Sequence, residues 1–110
     1  MERRKFDRIK KEVITHFEVV ESPDEIELAD RAKTHDISLG GMLFEANKPM
    51  TIGTILKIDF LDAKQKKIKV ISRVVRVEEI MIEEKFEIGI AFINLKDEQK
   101  ERIQEMIEKQ

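Results

Sequence analysis

The apolar residues of this chain alternate with polar ones in a series of short segments, and a helical spacing appears only near the end. Alternation with a period of two indicates half-buried β-strands, because successive side chains of a strand point to opposite faces. The segments predicted as strands are residues 12–21, 26–36, 42–46, 53–61, 67–79 and 86–92. Six short strands at this spacing predict a small antiparallel barrel or closed sandwich.

Two of these segments are irregular. Segment 26–36 has few apolar residues, so a helix of one or two turns is an alternative to the strand that we favour. Segment 67–79 contains two apolar sets of opposite parity, namely Ile68, Val70 and Val74 in one set and Ile71, Val75 and Val77 in the other. A change of parity within a strand predicts a β-bulge or a strong bend.

The end of the chain differs from the rest. Residues 97–110 contain neither proline nor glycine, and Ile103, Met106 and Ile107 recur at helical spacing. We predict a C-terminal helix with Asn94 as its N-cap. Because the apolar stripe is narrow, we expect this helix to lie on one end of the sheet and not to be buried.

Composition excludes several classes of function. A chain of 110 residues with a net charge of −2 is one domain and is not suited to binding a nucleic-acid polymer. Without cysteine, neither disulfides nor thiolate metal sites can form. No apolar run is long enough to span a membrane and the N-terminus is too charged for a signal peptide, so we expect a cytoplasmic location.

Charge is concentrated at the N-terminus. Residues 1–11 hold six basic side chains against two acidic ones, a local charge of +4 on a slightly acidic chain. This imbalance favours a small anionic ligand. Arg4 and Arg8 lie four positions apart, and the planar fork of arginine matches the O6 and N7 acceptors of guanine. A solvated basic terminus is the alternative interpretation.

A second polar cluster spans Asp36 to Gly41. Asp36 and Ser38 are two positions apart, so on an extended backbone their side chains share a face. Gly40 and Gly41 follow, and paired glycines allow positive φ and close approach of another molecule. The cluster therefore suits a flat polar ligand. The same residue types form turns, so the stretch is equally consistent with a simple hairpin connection.

Together, Arg-x-x-x-Arg and Asp-x-Ser-x-x-Gly resemble the PilZ domain, a bacterial receptor module for cyclic di-GMP. Arg4 and Arg8 match the first motif, and Asp36, Ser38 and Gly41 match the second. The resemblance covers almost the whole chain. It implies an all-β fold with one C-terminal helix, namely a six-stranded antiparallel β-barrel. The single domain would comprise an N-terminal ligand-binding arm (1–11), the barrel (12–96) and the helix (97–110).

The resemblance also implies roles for the motif residues. Arg4 and Arg8 would hold guanine edges and phosphates, and Asp36 would accept hydrogen bonds from guanine N1 and N2. Ser38 would add one hydrogen bond, while Gly40 and Gly41 would leave room for a base against the backbone.

Arg3 directly precedes the first motif arginine. In PilZ domains, an arginine at this position tends to accompany cyclic di-GMP bound as an intercalated dimer. The implied function is a non-enzymatic receptor that orders its arm on binding ligand and signals to a partner protein, which the sequence does not identify. The alternative is an adaptor of the same fold that binds protein partners without nucleotide.

Other candidate sites are weaker. His16 and His35 are the only histidines, and without cysteine they make a poor metal site, so we predict neither a metal nor a cofactor. Arg73 and Arg76 lie on the irregular strand; they could reach the ligand or be solvated.

Overall fold

The computed structural model describes residues 8–21 and 29–108. Its elements in chain order are β1 (Arg8–Glu21), β2 (Ala29–Ser38), β3 (Gly41–Ala46), β4 (Ile55–Leu61), β5 (Lys67–Met81), β6 (Lys85–Ile93) and α1 (Asp97–Glu108). The predicted all-β class, with six antiparallel strands and one C-terminal helix, is confirmed. Residues 26–28 and 109–110 of the predicted elements lie outside the described residues.

Every strand pairs with two antiparallel neighbours. The order is β1-β2-β3-β6-β5-β4. In addition, β1 pairs with β4, where residues 16–21 of β1 lie opposite residues 55–59 of β4. This last pairing joins the first and last strands of the order. Hydrophobic side chains of all the strands meet on the inner face of the sheet, where Phe17 and Phe44 stack with their ring centroids 5.4 Å apart.

Alternation predicted the inner face of β4 and β6 correctly. Leu56, Ile58 and Phe60 are buried on β4, with charged residues between them. Phe86 and Ile88 begin the corresponding set on β6. The burial of a Phe or Ile side chain contributes about 1.5–3 kcal/mol, so these alternating sets hold the sheet together.

β5 contains the bulge that its change of parity predicted. Its register against β6 shifts between Val74 and Arg76. Val74 is fully buried, whereas Val75 is 50% exposed, and Val77 returns to the core side beyond the bulge. The extra residue therefore explains the change of parity at Val77, whereas Ile71 and Val75 are apolar side chains on the exposed face.

β1 begins four residues before the predicted start at residue 12. Residues 8–10 have no apolar alternation, but they pair with residues 36–38 of β2. The partner strand, and not the local sequence, makes this segment extended. β2 is a strand through Ser38, so the helical alternative for 26–36 is wrong over the described part.

One prediction for the helix is wrong. Asn94 is not the N-cap, because it takes a left-handed φ of 49° and α1 begins only at Asp97. Instead, the side chain of Gln99 accepts a hydrogen bond from the backbone N–H of Lys96 at 2.7 Å.

Most of α1 stays outside the core, as expected, and only its apolar stripe is buried. Ile103 is fully inaccessible, and Met106 and Ile107 are 1% and 5% exposed. Side chains at positions i, i+3 and i+4 form one face, and this narrow face is enough to pack against the core of a small sheet.

Asp62 anchors α1 to the turn between β4 and β5. Arg102 Nε donates to Asp62 Oδ2 at 2.8 Å, and the backbone N–H groups of Lys64 and Lys66 donate to Oδ1 at 2.8 and 2.9 Å. Burial alone would raise the pKa of Asp62. The hydrogen bonds from Lys66, Arg102 and Lys64 stabilise the charged form and hold the pKa below its ordinary value of 3.8.

The lowered pKa predicts an acid-sensitive contribution to stability. For a carboxyl whose pKa is lower in the folded chain, the contribution is complete above the unfolded value, 3.8, and is lost as the pH falls through the folded value. We expect Asp62→Asn to lower the free energy of unfolding by about 2 kcal/mol at pH 7. In urea titrations at decreasing pH below 3.8, the difference from wild type should shrink.

Glu98→Gln is the matched control for this carboxyl. Glu98 lies 3.8 Å from Arg102, but its side chain is 80% exposed, so its removal should change stability little. A difference between wild type and Asp62→Asn that does not vary with pH would contradict the prediction.

Candidate functional site

The polar cluster at Asp36 to Gly41 forms the hairpin connection between β2 and β3. The backbone N–H of Gly40 donates to Ser38 Oγ at 3.1 Å, and this hydroxyl donates in turn to the carbonyl of Gly41 at 3.5 Å. Ser38 is 1% exposed. Its hydroxyl therefore shapes the loop and keeps one acceptor lone pair, which is its remaining capacity for a ligand.

Two irregularities in register precede this loop. β2 shifts against β3 between Thr34 and Asp36, and β1 shifts against β2 between Lys10 and Val13. Beyond the β2 shift, Ile37 pairs with Met42, and both side chains are in the core. Asp36 is thereby placed on the outward face of the sheet, where it is 8% exposed. Bulges that re-aim a side chain in this way are common beside functional sites.

The register brings part of the two motifs together. Arg8 is the Cα partner of Ser38, and Lys10 is the partner of Asp36. Directly opposite residues on antiparallel strands have Cα atoms about 4.5–5.5 Å apart. The backbone of Arg8 is therefore adjacent to the second motif. Arg3 and Arg4 lie outside the described residues.

Gly41 has a structural role that the sequence did not indicate. Its φ is not positive, so the left-handed conformation that paired glycines allow is not used at this position. A Cβ placed on Gly41 would overlap the carbonyl oxygen of Ile90 and lie 2.9 Å from its carbonyl carbon. The close approach at Gly41 is made by β6 of the same chain. The neighbouring carbonyl of Gly40 accepts from the N–H of Phe92 at 2.9 Å.

Sequence reasoning named Arg73 and Arg76 as residues that could reach the ligand, but it did not show how the outward face of β3, β6 and β5 connects them with this loop. Leu43 pairs with both Asp36 and Gly89, and Gly89 pairs with Arg76. We call these four residues the outer row. A parallel row runs through Gly41, Ala91 and Arg73. Only a register across four strands shows these relations, so no local pattern could have revealed them.

A shallow groove of about 470 Å³ lies on the other side of the loop, between Leu39 and α1. The helix residues that line it are Lys100, Glu101, Gln104, Glu105 and Glu108. Three carboxylates against one ammonium disfavour an anionic ligand. The outward face of the sheet, which carries Arg73 and Arg76, is the more suitable surface for phosphates.

Residues 8–21 and 29–108 contain neither a candidate metal site nor a membrane-spanning helix. In these ranges no three His, Cys, Asp or Glu side chains are grouped so that they could hold a metal ion. Over the same part of the chain, no helix has the length and apolar character of a membrane span.

A sequence-family model described as the PilZ domain matches residues 2–109, which is nearly the full chain. The chain belongs to the PilZ domain family. The six antiparallel strands and the C-terminal helix agree with this membership, as do the two sequence motifs. A comparison with curated proteins finds no match to this PilZ domain.

Solved structures share its fold. The PilZ domain of YcgR from Escherichia coli, solved with c-di-GMP, has a TM-score of 0.73 and 18% identity, over 96% of this chain and 89% of that one. The Bacillus subtilis inhibitor of motility (MotI/DgrA) has a TM-score of 0.73 and 18% identity, with 98% and 51% covered. The K. pneumonia MrkH–c-di-GMP complex has a TM-score of 0.71 and 18% identity, with 94% and 50% covered.

At this identity the three likenesses concern the fold alone. The chain spans about half the length of the MotI and MrkH chains.

Proposed function

We propose that this PilZ domain is a non-enzymatic receptor for cyclic di-GMP, which it binds on the outward face of the sheet beside the β2–β3 loop. The observation that carries the proposal is the register that places Arg8 opposite Ser38, so that the two motifs meet on neighbouring strands. The YcgR and MrkH structures, which contain c-di-GMP on the same fold, support it.

The chemistry of the ligand matches the residues that meet there. Cyclic di-GMP has two guanines and two phosphates, so it needs cations, planar donors and a carboxylate acceptor in one place. In the proposal, Arg4 and Arg8 bind guanine edges and phosphates, and Asp36 accepts from guanine N1 and N2. Ser38 contributes its remaining lone pair, and Gly40 provides backbone without a side chain.

The proposal includes a response of the arm, residues 1–11, whose last four residues already lie in β1, so that the proposed ordering concerns residues 1–7. The arm has a local charge of +4, so its basic side chains repel one another and are attracted by phosphates. Ligand binding therefore favours an ordered arm. Ordering costs about 1–2 kcal/mol of backbone entropy per residue, so the ligand contacts must offset it. An ordered arm changes the surface that a partner protein meets. The β1–β4 pairing supports the further proposal that the sheet is a closed barrel, on which the arm rests.

Isothermal titration calorimetry with cyclic di-GMP tests the receptor function. Saturable binding that Arg8→Ala weakens would support it. Folded protein that gives no heat and no competition at millimolar ligand would refute it. The adaptor function would then be preferred, since MotI, an inhibitor of motility, has the same fold.

Stoichiometry is a separate prediction. Two intercalated ligands carry four phosphates, and Arg3 adds one cation to the two motif arginines. We expect wild type to bind two cyclic di-GMP molecules per chain and Arg3→Leu to bind one, as measured by calorimetry. Hydrogen exchange in residues 1–7, which precede β1, should slow when ligand is present. A wild-type ratio of one would contradict the dimer, and unchanged exchange would contradict ordering of the arm.

A further inference from the structure

The outer row continues the proposed site across the sheet. Asp36, Leu43, Gly89 and Arg76 are successive Cα partners on β2, β3, β6 and β5. Three steps between strands, each about 4.8 Å, separate the ends of the row by roughly 14 Å. All four positions are on the outward face, because their sequence neighbours Ile37, Met42, Ile88 and Val77 are in or packed against the core. A carboxylate and a guanidinium thus stand at opposite ends of one straight row.

The middle of this row is low and apolar. Gly89 has no side chain, and a Cβ there would lie 3.2 Å from Arg76 Cβ and 3.3 Å from Leu43 Cδ2. These distances show that Arg76 and Leu43 flank Gly89 closely. In the adjacent row, Ala91 has only a methyl group, and it is half-buried. Leu43 and Arg76 thus cover Gly89, and a flat ring can rest on Leu43 with no large side chain from positions 89 and 91 of β6 in its way.

Arg76 already has its guanidinium extended along the surface. Its Nη2 donates to Glu78 Oε2, and the two side chains are 58% and 55% exposed. An exposed ion pair of this kind is weak, so an acceptor with better geometry can replace the carboxylate. The O6 and N7 atoms of guanine are such an acceptor, because arginine binds both at once.

We propose that Arg76 is a further ligand-binding residue that contacts the O6 and N7 edge of the guanine whose N1 and N2 donors face Asp36. The proposal rests on the proposed function and deepens it. The motif residues lie on β1, β2 and β3, and the proposal extends the site from these strands to β6 and β5. Glu78 is the competitor that holds Arg76 when no ligand is bound.

Calorimetric titration of cyclic di-GMP into matched variants tests this role. We expect Arg76→Ala to weaken binding about tenfold or more. Arg76→Lys should recover little of this loss, because an ammonium lacks the planar fork. Glu78→Gln should tighten binding by up to about fivefold, since the ligand no longer competes with a carboxylate.

The controls separate this role from general charge effects. Lys57→Ala removes one exposed cation from β4 on the same outward face, away from the row, and should bind as wild type does. Unchanged affinity of Arg76→Ala overturns the proposal, and so does full recovery in Arg76→Lys, which would indicate only a charge. Absence of binding by wild type overturns the receptor function itself, and the role of Arg76 falls with it.

Discussion

Gly41→Ala is expected to lower the free energy of unfolding by about 3 kcal/mol, the upper end of the usual cost of overpacking. The added methyl would overlap the carbonyl oxygen of Ile90, and it would lie 2.9 Å from the carbonyl carbon and 3.1 Å from Ala91 Cα. All three atoms are backbone. They cannot move without disturbing the ladder in which Gly41 pairs with Ala91. Chemical denaturation measured by circular dichroism gives the difference directly.

Gly89→Ala is the matched control for this substitution. Its added Cβ would meet the side chains of Arg76 and Leu43 at 3.2 and 3.3 Å, and side chains can shift by a few tenths of an ångström. We expect the cost to be clearly smaller than at Gly41. Equal stability of the two variants would show that β3 and β6 do not approach each other closely at Gly41.

The expected loss of stability affects how motif variants are interpreted. Gly41 matches the second PilZ motif, and a variant that fails to bind cyclic di-GMP would suggest a ligand contact. The structure offers a sufficient alternative, because a displaced β3 also displaces Asp36 through their shared ladder. Binding data for Gly41 variants therefore need a parallel measurement of folding.

The sequence predicted features that leave a trace in the apolar pattern. The β5 bulge is an example, because Val74 and Val75 are both apolar and their change of parity is visible. The shift in β2 around His35 was missed. Residues 29–35 have too few apolar members for a one-residue slip to alter any pattern. Yet this second shift is the one that places Asp36 on the outward face.

Tertiary packing decided the features that the sequence did not predict. Most of α1 stays exposed, as its narrow apolar stripe predicted, but how deeply the three apolar residues are buried depends on the sheet beneath them. β1 extends to Arg8 only because residues 36–38 of β2 are there to pair with it. The motif resemblance indicated which residues belong together. It did not indicate that Arg8 and Ser38 are cross-strand partners.

Nucleotide selectivity is the second large effect that we expect. Wild type should bind cyclic di-GMP about ten- to a hundredfold more tightly than cyclic di-AMP, a difference of about 1–3 kcal/mol. Asp36 is 8% exposed, and in such a partly dehydrated site a ligand edge that donates to the carboxylate is favoured over one that presents a lone pair. Guanine offers N1–H and N2–H, whereas adenine offers a lone pair at N1. Side-by-side calorimetric titrations measure the ratio.

Asp36→Asn tests whether the carboxylate causes this preference. An amide can both donate and accept, so it no longer excludes adenine, and we expect the two affinities to converge. Asp59→Asn is the matched control, because Asp59 is a partly buried aspartate on β4, away from the β2–β3 loop. It should leave the preference intact. If wild type bound the two nucleotides equally, Asp36 would not be the residue that distinguishes guanine. Its burial would then serve the hairpin alone, as Gly41 serves the β3–β6 ladder.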